Sequence, residues 1–268
     1  MVNGFVFNLQ LLYGFLLSLF IVILSHRLKS LNLSGCMATL ILGTLIFGVG
    51  GWIWSIPILT FFISASALSK VGKTVKLKFK DTFEKSGTRD YGQVLANGGV
   101  GGLLVALAVL NPHHEKLYFY AFILSFAAAN ADTWATELGV LLKGKPVLIT
   151  TFKRVEPGVS GGISFYGSFA ALAGSFFIIL VSYLAEPMPL STLIRLVLLG
   201  FIASFIDSLL GAAIQGQYRC RICNKYTEKK SHCNQPAQKI KGVNWMTNDL
   251  VNFISILYVV LIFLYIFI

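Results

Sequence analysis

The chain has 268 residues, of which 56% are hydrophobic and 12% charged, where soluble domains run at about 45–50% apolar and about 25% charged. That balance excludes a disordered chain and a soluble globular one, and makes a lipid bilayer the natural solvent. The charges are lopsided, 22 Lys and Arg against 11 Asp and Glu, an excess that in a membrane protein reports topology, anionic lipid or an anionic substrate rather than nucleic acid.

About 20 apolar residues of helix cross the hydrocarbon, and such stretches occur at roughly 5–25, 31–49, 51–69, 91–110, 117–142, 161–184, 190–214 and 249–268. They predict an all-α polytopic helix bundle of about eight spans with small-residue packing, a single membrane domain over 1–268. Only Gly48, Val49, Gly50 and Gly51 part the second span from the third, so these form a tight hairpin. The first stretch has no basic run before it and no A-x-A site after it, and reads as a span rather than a signal peptide. Long polar loops, about 70–90, 143–160 and 215–248, alternate with short turns at 111–115 and 186–189.

With eight spans, 20 of the 22 basic residues fall on one side of the membrane; Lys116 and Arg195 are the exceptions. The positive-inside rule makes that side cytoplasmic and puts both termini outside. Any chemistry then faces the cytoplasm, because the long loops lie there.

Four of the 11 acids lie in or at the ends of apolar spans: Asp132, Glu137, Asp207 and Asp249. A carboxylate at mid-membrane costs roughly 2.5–3.5 kcal/mol on insertion scales, so such residues mark sites or internal pairing. In the fifth span Asn130, Thr133 and Glu137 share one helix face while Asp132 and Thr136 share another. Either the two acids serve different partners or the helix is broken around a site. In the seventh span Ser204, Asp207, Ser208, Gly211 and Gln215 form a polar stripe at helical spacing, and Asn244, Asn248, Asp249 and Asn252 repeat the pattern near the eighth. Such stripes face protein or water. Converging carboxylates call for a cation, and hard oxygen ligands suit Mg²⁺. No histidine lies near these acids, which argues against a catalytic zinc.

A basic, glycine-rich half complements the acids. Lys70 and Lys73 follow the third span; Arg89, Gln93 and Asn97 enter the fourth at i, i+4 and i+8; Lys153 and Arg154 precede Gly158, Ser160, Gly161 and Gly162 before the sixth. Glycines let backbone N–H groups approach a phosphate, and a helix N-terminus adds a favourable dipole. No GxxxxGK[ST] pattern is present, which excludes a P-loop NTPase. Each of these elements alone is better explained by membrane topology and tight packing; together with the acids they describe metal and polyphosphate chemistry.

Cys220, Cys223, His232 and Cys233 form a C-x2-C-x8-H-C cluster in the last long loop, while Cys36 stands alone in an apolar span. A reducing cytoplasm disfavours a disulfide. Four N/S ligands suit a structural Zn²⁺, although the adjacent His232-Cys233 departs from finger spacing; a redox pair or free thiols are the alternatives.

At ADTWATELG, GVSGGIS, IDSLLGA and NDLVN the sequence resembles the integral-membrane family that includes transmembrane protein 19 and plant chloroplast phytyl-phosphate kinase. It is distantly similar to phytol kinase, dolichol kinase and CDP-diacylglycerol synthase. Asp132, Ala135 and Gly139 match the D-x-x-A-x-x-x-G helix of the lipid kinases, whose acid implies a metal ligand. Lys153, Glu156-Pro157-Gly158 and Gly161-Gly162 resemble the loop that handles nucleotide phosphate, with departures that bear on the acceptor.

The resemblance implies a CTP-dependent, Mg²⁺-dependent phosphotransferase acting on an isoprenyl monophosphate. Asp132, Asp207 and Lys153 are the expected catalytic residues, with Glu137 and Asp249 as further metal ligands. Lys70, Lys73, Arg89, Gln93, Asn97, Arg154, Gly158, Ser160, Gly161 and Gly162 are expected to hold nucleotide and lipid phosphate. A nucleoside triphosphate, an isoprenoid lipid phosphate and membrane lipids are the expected partners, with no nucleic acid. A prenol kinase, a cytidylyltransferase and an ion-coupled transporter or flippase of an anionic substrate are the competing readings. Prenyl chain length, CTP against ATP and oligomeric state are not written in these residues.

Overall fold

A computed structural model of the chain describes residues 2–72, 85, 87–142 and 144–267, with backbone alone for residues 2–8. Lys73 and much of the predicted 70–90 loop, with Lys76, Lys78 and Lys80, lie outside the described residues, as does Lys143.

The described helices are α1 (Val2–Arg27), α2 (Leu33–Leu45), α3 (Trp52–Lys70), α4 (Tyr91–Leu110), α5 (Glu115–Leu141), α6 (Phe165–Ala185), α7 (Leu190–Ala213) and α8 (Asn248–Phe267). Their order and extent follow the apolar stretches. The glycine-rich junction between the second and third stretches continues α2 as a π-helical turn, Ile46–Gly50, and Gly51 at φ 84° then starts α3. Seven of the eight are long and apolar enough to cross a membrane. The exception is α5, which has the length, 27 residues, but dilutes its hydropathy with Asn130, Asp132, Thr133 and Glu137.

That exception is explained by position. Helix α5 touches α3, α4, α6, α7 and α8, and every residue from Tyr118 to Ala131 is buried. A helix sheathed by other helices presents little surface to lipid, so its polar groups need only protein partners. Asn130 has them. Its carbonyl accepts from Ser64 Oγ of α3 at 2.8 Å, and its amide donates to the Gly174 carbonyl of α6 at 2.8 Å. The fifth span is a continuous helix through both acids, which settles the alternative left by the sequence: Asp132 and Glu137 serve different partners.

Helix ends on the long-loop side are satisfied by side chains, as unpaired first-turn N–H groups require. Asn32 caps α2 through Gly35 N at 2.9 Å, and Ser164 caps α6 through Gly167 N at 3.1 Å. Asp90 and Gln93 form a reciprocal capping box on α4. The bundle is all-α as expected, and short strands order the loops beside it. Strands β1 (Val147–Leu148) and β2 (Gly162–Ile163) pair antiparallel after α5. After α7, β3 (Gln217–Arg219) lies between β4 (Tyr226–Thr227) and β7 (Gln238–Lys241), while β5 (Ser231–His232) pairs with β6 (Gln235–Pro236).

Small residues set the helix spacing. A Cβ on Gly14 of α1 would stand 2.5 Å from Gly48 Cα, a backbone contact that leaves no room for a side chain. Around Trp54, Phe119, Phe122 and Phe126 the rings stack at centroid distances of 4.9–5.1 Å, filling the centre of the bundle with tilted aromatic pairs.

Candidate functional site

The carboxylates resolve into two groups at the long-loop end. Asp132 of α5 and Asp207 of α7 are both half-buried and near enough for their charges to repel. Asp207 Oδ2 accepts from Ser255 Oγ of α8 at 3.3 Å. The Asn252 amide, oriented with its nitrogen toward acceptors, donates to the same oxygen at 2.8 Å and to Asn248 O at 3.2 Å. Among the described residues Asp132 has no hydrogen-bond donor. Two mutually repelling carboxylates on facing helices, one held by neutral donors, form an oxygen-only set that suits a divalent cation.

Glu137 and Asp249 are placed differently. Glu137 lies five residues beyond Asp132 on α5, about 7.5 Å along the axis, and interacts electrostatically with Arg89. Asp249 forms an ion pair with Lys85, which also binds Asp90 at 2.8 Å. Burial pulls the Lys85 ammonium down, but Asp249 and Asp90 outweigh it and leave its pKa raised. Burial likewise pushes the Asp90 carboxyl up, and Lys85 with the Gln93 N–H brings it below the usual carboxylate range. The assignment of Asp249 to metal therefore meets a competing role: it fastens the 85–90 loop to α8.

Arg89 is held by its backbone. Its N–H donates to Ser30 O at 3.0 Å and its carbonyl accepts from Asn32 N at 3.0 Å, which ties the α3–α4 loop to the start of α2. Its guanidinium donates to Ser66 Oγ at 3.3 Å and lies 5.8 Å from the Phe62 ring centroid. Arg89, Gln93 and Asn97 line one part of a small, partly open cavity of about 60 Å³ among α1 to α5. The remaining wall is almost wholly apolar, with Ile21, Leu42, Phe61 and Phe126 among its residues. The i, i+4, i+8 spacing read on α4 thus becomes the polar patch of an oily cavity. Gln93 and Asn97 are partly committed already, Gln93 to the capping box and Asn97 by donating to Gln93 O at 2.8 Å.

The glycine loop packs on the end of α7. Gly161, at φ 82°, is so close to Ala212 that a Cβ would come within 2.5 Å of the Ala212 Cβ. Ser160 Oγ donates to Gln215 Oε1 at 2.7 Å, and Gln217 Nε2 donates to Ser160 O at 3.2 Å. Gly162 belongs to β2, and its N–H donates to Val159 O. The close approach of this loop serves helix–loop packing first. Gln215 Nε2 is buried without a hydrogen-bond partner among the described residues, an orphan donor beside the loop. Lys153 and Arg154 are exposed, Gly158 at φ 87° is half-buried, and Lys70 ends α3 at the surface.

The Cys220, Cys223, His232 and Cys233 ligand atoms all lie within 4.8 Å of one another. Cys220 is drawn down to about 6, most by the Cys223 backbone N–H, with loss of hydration opposing. Cys233 is pushed up to about 11 by loss of hydration and then by the neighbouring thiols. This segment also delivers Glu228, which is buried and whose charge reaches Asp207.

Ser255 and Glu228 were not among the expected site residues, and Asn252 was read only as part of the polar stripe near the eighth span. Ser255 was readable, three residues beyond Asn252 on the same helix face; Glu228 was not, since it stands among loop lysines with no periodicity around it.

The family model for integral membrane protein DUF92 matches residues 16–260. Protein PGR of Arabidopsis thaliana is 34% identical, over 92% of this chain and 93% of its own length. The uncharacterized membrane protein MJ0933 of Methanocaldococcus jannaschii is 33% identical over 77% of this chain and 84% of its own. The chloroplastic protein VTE6 of Arabidopsis thaliana is 27% identical over 84% of this chain and 62% of its own length. No solved structure matches. A match over most of the chain, on a bundle whose helices fall where the apolar stretches do, makes this chain a member of the integral membrane protein DUF92 family.

Proposed function

We propose that the protein is a lipid kinase that transfers the γ-phosphoryl group of a nucleoside triphosphate, CTP in this reading, to an isoprenyl monophosphate. The observation that carries the reading is an apolar cavity with a cationic, amide-bearing polar patch on one side of α5, and a carboxylate pair, Asp132 and Asp207, between α5 and α7. The apolar lining suits the start of a hydrocarbon tail, the rest of which would lie between helices, and Arg89 suits an anionic head. Arg89 acts on Glu137, on the same helix as Asp132, so head and carboxylates share the cytoplasmic half of α5.

Asp132 and Asp207 would hold Mg²⁺, with Ser255 and Asn252 orienting Asp207. The ion supplies charge neutralisation on the transferred phosphoryl group. Lys70, Lys73, Lys153 and Arg154 are proposed to bind nucleotide phosphates, and the orphan Gln215 amide adds a donor beside Ser160 and Gly161. An oxygen of the lipid phosphate attacks the γ-phosphorus while the bond to the β,γ-bridging oxygen breaks, giving lipid diphosphate and CDP. The attacking oxygen is already ionised, so no general base is required. In this reading the site faces the cytoplasm and both termini lie outside, as the basic loops imply.

The test uses purified protein, Mg²⁺, labelled CTP and ATP, and a panel of prenols and prenyl monophosphates. Diphosphate formation from a monophosphate is expected, with Asp132→Asn and Asp207→Asn each lowering turnover by about 100-fold. Absence of both transfer and nucleotide binding would overturn the kinase reading. Pyrophosphate release with CMP left on the lipid would replace it with a cytidylyltransferase.

A further inference from the structure

The segment between α7 and α8 has the geometry of a metal knuckle. Cys223 Sγ lies 3.5 Å from His232 Nδ1, Cys233 Sγ lies 3.2 Å from the same nitrogen, and the two sulfurs are 3.9 Å apart. A tetrahedral Zn²⁺ with bonds of about 2.3 Å to sulfur and about 2.05 Å to nitrogen requires edges of about 3.8 Å for S···S and about 3.6 Å for S···N. The observed separations are close to those edges before any ion is considered. Cys220 completes the four; its sulfur accepts the Ile222 N–H at 3.4 Å, and Asn224 N donates back to Cys220 O at 3.0 Å. That pair of bonds closes the C-x2-C turn with Asn224 at φ 58°, and Cys233 and Asn234 at φ 52° and 57° make the second turn. Left-handed backbone at three non-glycine positions is uncommon. Here it bends two loops so that the Cys220–Cys223 pair and the His232–Cys233 pair face one point.

We propose that Cys220, Cys223, His232 and Cys233 hold one structural Zn²⁺, which ties the 214–247 segment into a cap on the Asp132–Asp207 pair. On binding, the three thiols release their protons to solvent and the imidazole binds neutral, leaving a Cys₃His site with no open position. The strands around the ligands are two to four residues long, too short to be stable alone. The ion supplies the cross-link that a hydrophobic core would otherwise provide. The cap is seated on α7 by Lys241 Nζ donating to Ala212 O at 2.9 Å, by Val243 N donating to Ile214 O at 2.9 Å and by the Gln215–Val243 bridge. From there it supplies Gln217 to the Ser160 loop and Glu228 to the neighbourhood of Asp207. The ion thus holds cap residues in place and takes no part in any reaction.

The experiment is elemental analysis of the full chain, purified in detergent through a metal-free affinity tag, together with alkylation of its thiols followed by mass spectrometry. About one zinc per chain is expected in the wild type and in Cys36→Ser, and below ~0.2 per chain in Cys220→Ser and in Cys233→Ser. Cys220, Cys223 and Cys233 should alkylate at least ~10-fold faster after chelation and be protected again by Zn²⁺ alone. Cobalt substitution of the wild type should give the sulfur-to-metal charge-transfer absorption of a tetrahedral thiolate site, a readout that does not depend on a variant folding. Less than ~0.1 zinc per chain after incubation with equimolar zinc chloride, with alkylation unchanged by chelator, would overturn the proposal. Stoichiometric iron would overturn it equally. Neither result bears on lipid phosphorylation, so the two readings fail separately.

Discussion

Asp132 and Asp207 differ from the other charged residues in how little surrounds them. Asp249 and Asp90 share Lys85, Glu137 has Arg89, and the Asp132–Asp207 pair has each other, two neutral donors and Glu228. Like charges left facing one another call for relief, by a cation or by a shared proton. The Lys85 cluster makes the opposite prediction, that of a fastener with a pH window. Asp90 has a lowered native pKa, so its contribution is complete above its unfolded value of about 4 and is lost as pH falls through the native value. Lys85 has a raised native pKa, so its contribution is complete below about 10.4 and is lost as pH rises through the native value. The melting temperature of wild type should therefore exceed that of Lys85→Gln by a constant margin from about pH 5 to about pH 10, and the margin should close outside that window. Thermal unfolding in detergent across pH checks this; an equal margin at pH 3 would show that Lys85 acts through packing alone.

Among the elements, α5 is where local propensity and tertiary context part company. Its hydropathy falls short of a membrane span, yet it is the helix that the others enclose. Asn130 shows how: with no water available, its two hydrogen bonds to α3 and α6 settle the orientation of three helices at once. The α1–α2 contact depends instead on the absence of side chains. Gly14→Val would drive a branched side chain into the Gly48 backbone, which cannot rotate away as a side chain can. A loss of about 1–3 kcal/mol is expected, read as a lower unfolding midpoint. Helices α5 to α8 should keep their contacts, so the Cys233 alkylation rate should not change.

At the scale of the whole molecule, two halves meet along α5. Helices α1 to α4 close the oily cavity on one side, and α7 and α8 bring the carboxylate partners to the other. If the cavity takes the start of the hydrocarbon tail, its wall directs the rest of a long chain between the helices. Thr39, on the wall from α2, is a place to test that: Thr39→Phe should raise KM by about 10-fold for a long-chain isoprenyl phosphate and leave a short-chain one within about 2-fold. An equal loss for both, measured by steady-state kinetics, would place the tail elsewhere.

The sequence by itself determined the bundle. Eight apolar stretches predict eight helices within a few residues of where they lie, because lipid offers a backbone few alternatives and the apolar signal is strong. The stripe on α7 was legible for the same reason: Ser204, Asp207, Ser208 and Gly211 recur at a helical period, and that period survives folding as far as Ala213, while Gln215 lies beyond the helix end. Tertiary structure decided what no period encodes. It paired Asp132 with Asp207 and diverted Asp249 to Lys85, three carboxylates of like local character whose roles differ by which residues they face. It seated the glycine loop on Ala212, and folded a lysine-rich loop so that one nitrogen and three sulfur atoms converge and Glu228 comes near Asp207. Those outcomes depend on contacts between residues tens to hundreds of positions apart, and a single sequence carries no local signal for them.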